Sequence, residues 1–260
     1  MKSAQRASQK VRDKYLPKVR ALSLLHAFCD VNRASPESQG VESTRISSFY
    51  RAALCCSFAS AEILRDPARA DLIGVIGEIS SDRVLSSLYN RMRLSEQGRF
   101  LLLEKTRVTN ATLIHARSCS TGTFGEAYAH FMDTRAFRPE DRPETKFSVQ
   151  KPWHYVLVRL REIHDYLHVL FDCPTNIEGE VILKAIEFAN FKLPVSCLGA
   201  LVGSVQLPVV VQHRLHDHFF PWATRAGLKC EPLESIHFES SFNAPLQEVR
   251  KLHGIITLPK

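Results

Sequence analysis

The sequence predicts a mainly α protein built as a single compact helical domain. Three observations carry that expectation. Apolar residues recur at three-and-four spacing in one stretch after another, the pattern of helices with one buried face. No period-two alternation of strand type stands out before Ser235–Glu239. The 260 residues, 45% of them apolar, suffice for one domain with a substantial core.

The N-terminal end differs from this body. Lys2, Arg6, Lys10, Arg12, Lys14, Lys18 and Arg20 against Asp13 place +6 of the formal +7 charge in the first twenty residues. The rest of the chain is nearly neutral, which argues against a nucleic-acid footprint. Arg6, Lys10, Lys14 and Lys18 recur every fourth residue with Val11, Tyr15 and Val19 beside them, as in a matrix-targeting presequence. Residues 1–22 are therefore expected to be a mitochondrial targeting segment, and residues 23–44, rich in Asn, Ser, Pro and Gly, a linker. The helical domain then spans 45–260. Seven cysteines without a Cys-x-x-Cys pair exclude a disulfide framework and a cysteine zinc site, so the chain belongs in a reducing compartment.

Within the domain, Phe49, Ala53, Ser57, Ala61 and Leu64 share a first helical face. Asp66 and Pro67 open a second helix running to about Glu78. Asp82 is expected to cap a third, with Val84, Leu85, Leu88 and Met92 inward, and Ser95–Gly98 to turn the chain. Thr121–Phe131 reads as a short helix. The run Arg138, Pro139, Asp141, Arg142 and Pro143 reads as an irregular connection, in which Arg135, Arg138 and Arg142 are solvated charges or contacts for an anionic head group. Pro245, Leu246, Val249 and Leu252 form a last helix stopped by Gly254.

The chemistry lies between these ends. Over Trp153–Phe171, the residues Trp153, Val156, Leu157, Leu160, Ile163, Leu167 and Phe171 define the apolar face of a helix, with His164 and His168 at its edge. At roughly 100° per residue the two imidazoles stand about 40° apart, and Asp165 about 100° round from His164. Thr175-Asn176-Ile177-Glu178 has the form of a capping box, with Thr175 and Glu178 expected to satisfy each other's amides. Glu180 then sits one turn into a second helix that must run back past the first. Two imidazoles and two carboxylates, His164, Asp165, His168 and Glu180, suit a borderline divalent cation such as zinc or iron(II). The plainer alternative is a pair of half-buried, hydrogen-bonded histidines. A rival cation site at His213, His216 and His218 has only Asp217 beside it, and Phe219, Phe220 and Trp222 nearby look like a core or interfacial aromatic patch.

Leu193–Val211 contains no charged residue, long enough to raise a membrane span. Pro194, Gly199, Gly203 and Pro208 interrupt it. A helix lining an apolar groove, or a surface dipping into a bilayer interface, fits better. There is no Gly-x-Gly-x-x-Gly, Walker loop or Gly-x-Ser-x-Gly turn. The zinc-protease motif requires Glu where this chain has Asp165.

The stretch His164-Asp165-x-x-His168, eleven residues, then Glu180 resembles the pattern of the Coq-four family of coenzyme Q (ubiquinone) biosynthesis proteins. The resemblance extends through Pro174–Glu180, Glu187-Phe188-Ala189, Leu193-Pro194 and Gly199–Gly203. Upstream it takes in Asp66-Pro67 to Asp71 and Gly77-Glu78, so that it covers the chain from about Ile46 to Trp222. It implies a peripheral protein on the matrix side of the mitochondrial inner membrane, working in a complex with other ubiquinone biosynthesis proteins on a polyprenylated aromatic substrate. The step it implies is removal of the carboxylate of a 4-hydroxy-3-methoxy-5-polyprenylbenzoate, a carbon–carbon lyase reaction, either alone or coupled to hydroxylation at the same carbon. His164, Asp165, His168 and Glu180 would ligate zinc or another divalent ion. Lys184 and Glu187, one and two turns beyond Glu180, are candidates for supporting the ligands or moving a proton. The alternative function is a non-catalytic lipid-binding scaffold that organises the biosynthetic complex.

Overall fold

The computed structural model describes residues 80–142, 145 and 150–259. The expected targeting segment, the linker and the two helices expected over 46–64 and 67–78 lie outside those residues. The described chain falls within one compact unit, 62–260, and it is helical, with a single isolated bridge between Thr123 and Pro245 in place of any sheet among the described residues. Ser235–Glu239, the one stretch with a strand-like period, instead enters two 3₁₀ turns, Leu233–Ser235 and Phe238–Ser241. Arg159 explains why: its buried guanidinium takes Ile236 O and the Glu239 carboxylate, anchoring this segment by turns rather than by a ladder.

Helix α1 (Asp82–Met92) buries Leu85, Leu88 and Met92 as its spacing requires. Ser81, not Asp82, is its N-cap residue. Asp82 accepts a hydrogen bond from Trp153 Nε1 at 2.8 Å and so ties α1 to the start of the site helix. The turn expected at Ser95–Gly98 is the beginning of α2 (Glu96–Glu104), because Ser95 Oγ accepts from Gly98 N at 3.0 Å and nucleates the first turn. Helices α3 (Asn110–Arg117) and α4 (Phe124–Thr134) follow. Tyr128 and Phe124 of α4 meet an aromatic core, with Tyr128 edge-on to Tyr166 at 4.6 Å and Phe124 edge-on to Tyr166 at 5.6 Å.

Helix α5 (His154–Phe171) is buried along most of its length, and α6 (Ile177–Phe191) returns beside it. The reversal is tight. Asp172 takes the left-handed conformation, φ 59°, and closes α5. At Gly179 an added Cβ would lie 2.0 Å from Pro174 O, so only glycine admits the turn. Asn176 caps α6 by accepting from Gly179 N at 2.8 Å. The capping box expected of Thr175 and Glu178 does not form: Thr175 Oγ1 accepts from Arg135, and Glu178 pairs with Arg214.

Helices α7 (Pro194–Val205) and α8 (Val209–Arg214), a π turn (Leu215–Phe219) and α9 (Phe220–Lys229) come next, with α7 and α9 both packed on α6. The uncharged stretch is thus split at Leu207–Pro208, and no described helix is long and apolar enough to cross a membrane. Trp222 is buried, and Phe219 and Phe220 pack at the edge of the core. Helix α10 (Leu246–Leu252) ends before Gly254, whose φ is 66°.

A candidate metal centre between two helices

The turn joining α5 to α6 brings Glu180 to the two imidazoles of α5. His164 Nε2 and His168 Nε2 lie 3.2 Å apart. The Glu180 carboxylate faces both, at 3.3 Å from His164 Nε2 and 3.0 Å from His168 Nε2. His168 is buried, while His164 and Glu180 remain partly accessible. Donor atoms bound to a common zinc at about 2.0–2.2 Å stand roughly 3.3 Å apart in a tetrahedral arrangement, and these three have that spacing.

The other ring nitrogens are held from behind. His168 Nδ1 meets Cys173 O at 3.0 Å, and His164 Nδ1 meets Glu187 Oε1 at 2.6 Å. Both acceptors demand a proton on Nδ1, which leaves each Nε2 lone pair for the cluster. The αL turn at Asp172 therefore does two jobs, reversing the chain and placing the Cys173 carbonyl. Phe131 stacks on the His168 ring at 5.5 Å, and Arg135 lies 4.1 Å over the Phe131 ring. This stack fixes the imidazole plane. Neither Cys173 nor Phe131 carries a sequence signal for the role, since one contributes only its backbone and the other arrives from α4.

Glu187, 4% exposed, gathers three donors: His164 Nδ1, Lys184 Nζ at 2.7 Å and Ser196 Oγ at 3.0 Å. Burial pushes its carboxyl pKa up, but Lys184 and His164 outweigh burial and hold it well below the usual carboxylate range. Glu180 behaves alike: burial opposes ionisation, and the closeness of the two imidazoles outweighs it, so that its carboxyl is held well below the usual range. For His164, burial and the Lys184 charge lower the pKa, yet Glu187 and Glu180 raise it further, so the net shift is upward. Lys184 Nζ also reaches within 3.4 Å of His164 Nδ1. It is 30% exposed, which makes it the link between the buried carboxylate and solvent.

Among the described residues, the group of potential ligand atoms lying within 4.8 Å of one another consists of His164, His168 and Glu180. Asp165 is buried on the same helix, but its carboxylate is paired with Arg142. His213, His216 and His218 are solvent-exposed on α8 and the π turn, with His216 paired to its neighbour Asp217.

Fold and centre together define a class: a helical protein that turns a half-buried His-His-Glu cluster, braced by a second carboxylate, toward a partly open face. The family model described as Coenzyme Q (ubiquinone) biosynthesis protein Coq4 matches residues 42–259, and the chain belongs to this family of ubiquinone biosynthesis proteins. It is 36% identical over 198 residues to a mitochondrial ubiquinone biosynthesis protein COQ4 homolog of Bos taurus, covering 75% of each chain. It is 37% identical over 191 residues to the mitochondrial ubiquinone biosynthesis protein coq4 of Schizosaccharomyces japonicus, covering 72% of this chain and 80% of that one. In fold it is similar to the crystal structure of a putative ubiquinone biosynthesis protein from Nostoc punctiforme, with TM-score 0.62, 19% identity and coverage of 76% and 96% of the two chains.

Proposed function

We propose that this protein is a metal-dependent decarboxylase of ubiquinone biosynthesis, acting on the carboxylate-bearing ring carbon of a 4-hydroxy-3-methoxy-5-polyprenylbenzoate. It works on the matrix side of the mitochondrial inner membrane, attached peripherally and in a complex with other ubiquinone biosynthesis proteins. The observation that carries the reading is the convergence of two Nε2 lone pairs and a carboxylate, with each imidazole held from behind at Nδ1. Three like electron-rich atoms at 3.0–3.3 Å repel one another unless protons or a cation lie among them, and the donor set fits zinc or iron(II).

His164, His168 and Glu180 would hold the ion, and Asp165 is one residue away as a fourth ligand if it exchanges Arg142 for the cation. A divalent cation bound there supplies a Lewis acid for a carboxylate or phenolate oxygen. The remaining work falls to the protein. Loss of carbon dioxide breaks the bond between ring and carboxyl carbon and leaves the electron pair on the ring, where a proton must be delivered. Lys184 is placed to give that proton, and Glu187, held by His164, Lys184 and Ser196, keeps the ammonium in position. Glu187 also fixes the tautomer of His164.

A scaffold reading is favoured by one observation, the proximity in sequence of Asp165. With it as a fourth protein ligand the centre would be closed, as structural zinc sites are. Metal analysis of the purified protein, paired with turnover of a short-tailed prenyl hydroxybenzoate, separates the two. The catalytic reading expects stoichiometric metal and carbon dioxide release that a chelator abolishes. Stoichiometric metal without turnover, in protein that restores synthesis within the complex, favours the scaffold.

A further inference from the structure

Arg135 stands at the end of α4 with its donors turned back into the molecule. On sequence grounds it is a solvated charge or a contact for an anionic head group. In the structure its Nε donates to Thr175 Oγ1 at 3.0 Å, and its Nη1 donates to Phe131 O and to Thr134 Oγ1, both at 3.1 Å. Its guanidinium carbon lies 4.1 Å from the centre of the Phe131 ring, within the range of a cation–π contact. The local fold directs it there. Phe137 N bonds to Met132 O and Ala136 N to Asp133 O, the pair of bonds that closes a helix, with Ala136 left-handed at φ 54°. Helix α4 thus stops at Arg135, whose side chain packs over Phe131 one turn back.

Both of its outer contacts lead to His168. Phe131, buried at 7% exposure, stacks on the imidazole at 5.5 Å with the two rings inclined by 23°, so whatever holds Phe131 holds the plane of that ring. Thr175 belongs to the turn that supplies Cys173 O to His168 Nδ1 at 3.0 Å, so whatever holds Thr175 holds the acceptor that sets the tautomer. Arg135 and Thr175 are 40 residues apart in the chain. A planar guanidinium can serve both contacts at once, because its donors and its flat face are fixed relative to one another.

We infer that Arg135 is a positioning residue of the centre: by clamping Phe131 and Thr175 together it fixes both the ring plane and the Nδ1 partner of His168, and so presents His168 Nε2 to the cation. It acts on the cluster through these two neighbours. The step to the cation rests on the metal reading proposed above, whereas the hold on His168 does not.

The test uses the full chain with isotope-labelled histidine, stripped of metal by a chelator. Exchange of the His168 Nδ1 proton with water is followed by NMR, its signal assigned by loss in His168→Ala, and zinc affinity is measured separately by competition titration. Arg135→Met keeps the stem over Phe131 and removes the charge and the donors; Thr175→Val removes the acceptor alone. Both variants should speed the proton exchange, and Arg135→Met should weaken zinc binding about tenfold. The double variant should be no worse than Arg135→Met, because the two residues act as one unit. Arg135→Lys, which keeps the charge but not the planar fork, should recover part of the loss. Arg117→Gln breaks the exposed pair between Arg117 and Asp133 of α4, and should leave proton exchange and zinc affinity as in wild type. Unchanged exchange in Arg135→Met, or unchanged affinity where the wild type binds zinc, overturns the inference. So does an equal effect of Arg117→Gln, since a general loosening of α4 then explains it, and so do additive effects in the double variant. If the wild type takes up no zinc, the metal reading fails, and the exchange measurement on its own still decides whether Arg135 holds His168.

Discussion

Glu239 carries a pH dependence whose sign follows from its surroundings. Burial raises its carboxyl pKa, but the Arg159 guanidinium, by charge and by hydrogen bonds, brings it below its ordinary 4.5. A carboxylate depressed in the folded state contributes stability that is fully present above its ordinary pKa and is lost as pH falls through the folded value. Acid unfolding should therefore include a step below pH 4.5 that Glu239→Gln removes, read by circular dichroism across a pH series. At neutral pH the same variant leaves Arg159 buried and unpaired, and should cost about 3–5 kcal/mol. A second residue-level expectation concerns Asp165. If Arg142 competes with the cation for that carboxylate, Arg142→Gln should bind zinc more tightly by several-fold in a competition titration, and the gain should vanish in an Asp165→Asn background. The sequence shows Asp165 among the candidate ligands, but its partner lies 23 residues upstream. No local spacing announces such a contact, whereas the angles of one helix do place His164 beside His168.

The turn between α5 and α6 is the element on which the centre depends. Gly179→Ala sets a Cβ against Pro174 O at 2.0 Å, so the turn must open. A loss of about 2–4 kcal/mol is expected in urea unfolding, along with weaker zinc binding, because Glu180 moves with the first turn of α6. Retained affinity would show that the turn is not what places Glu180. At this scale helix existence was legible in the three-and-four spacing, including nearly the whole of α5 and the position of Glu180 one turn into α6. The caps were less so. Ser81 rather than Asp82 holds the N-cap position of α1, with no side-chain cap bond, Asn176 rather than Thr175 caps α6, and Ser95 begins a helix where a turn was expected. Neighbouring Ser, Thr, Asn and Asp side chains can all cap, and the choice among them falls to distant partners such as Trp153 for Asp82 and Arg135 for Thr175.

The whole molecule joins a basic N-terminal arm and a helical unit. Deleting the residues before Ile46 should leave a soluble, folded protein that no longer reaches mitochondria, checked by fractionation of cells expressing the truncated chain. Continued import would remove the targeting assignment. Alkaline carbonate should extract the protein from membranes, as no described helix can span one, and resistance would point to an integral segment. The central claim is that the His164, His168 and Glu180 cluster holds a cation that the reaction requires. It is tested most directly by Glu180→Gln, which preserves side-chain size while removing the charge at the cluster, assayed for bound metal, for assembly with partner proteins and for ubiquinone formation. The expected result is a folded, partner-competent protein with reduced metal content that makes no ubiquinone and accumulates a ring intermediate still bearing its carboxylate. Normal ubiquinone synthesis by that variant would contradict it.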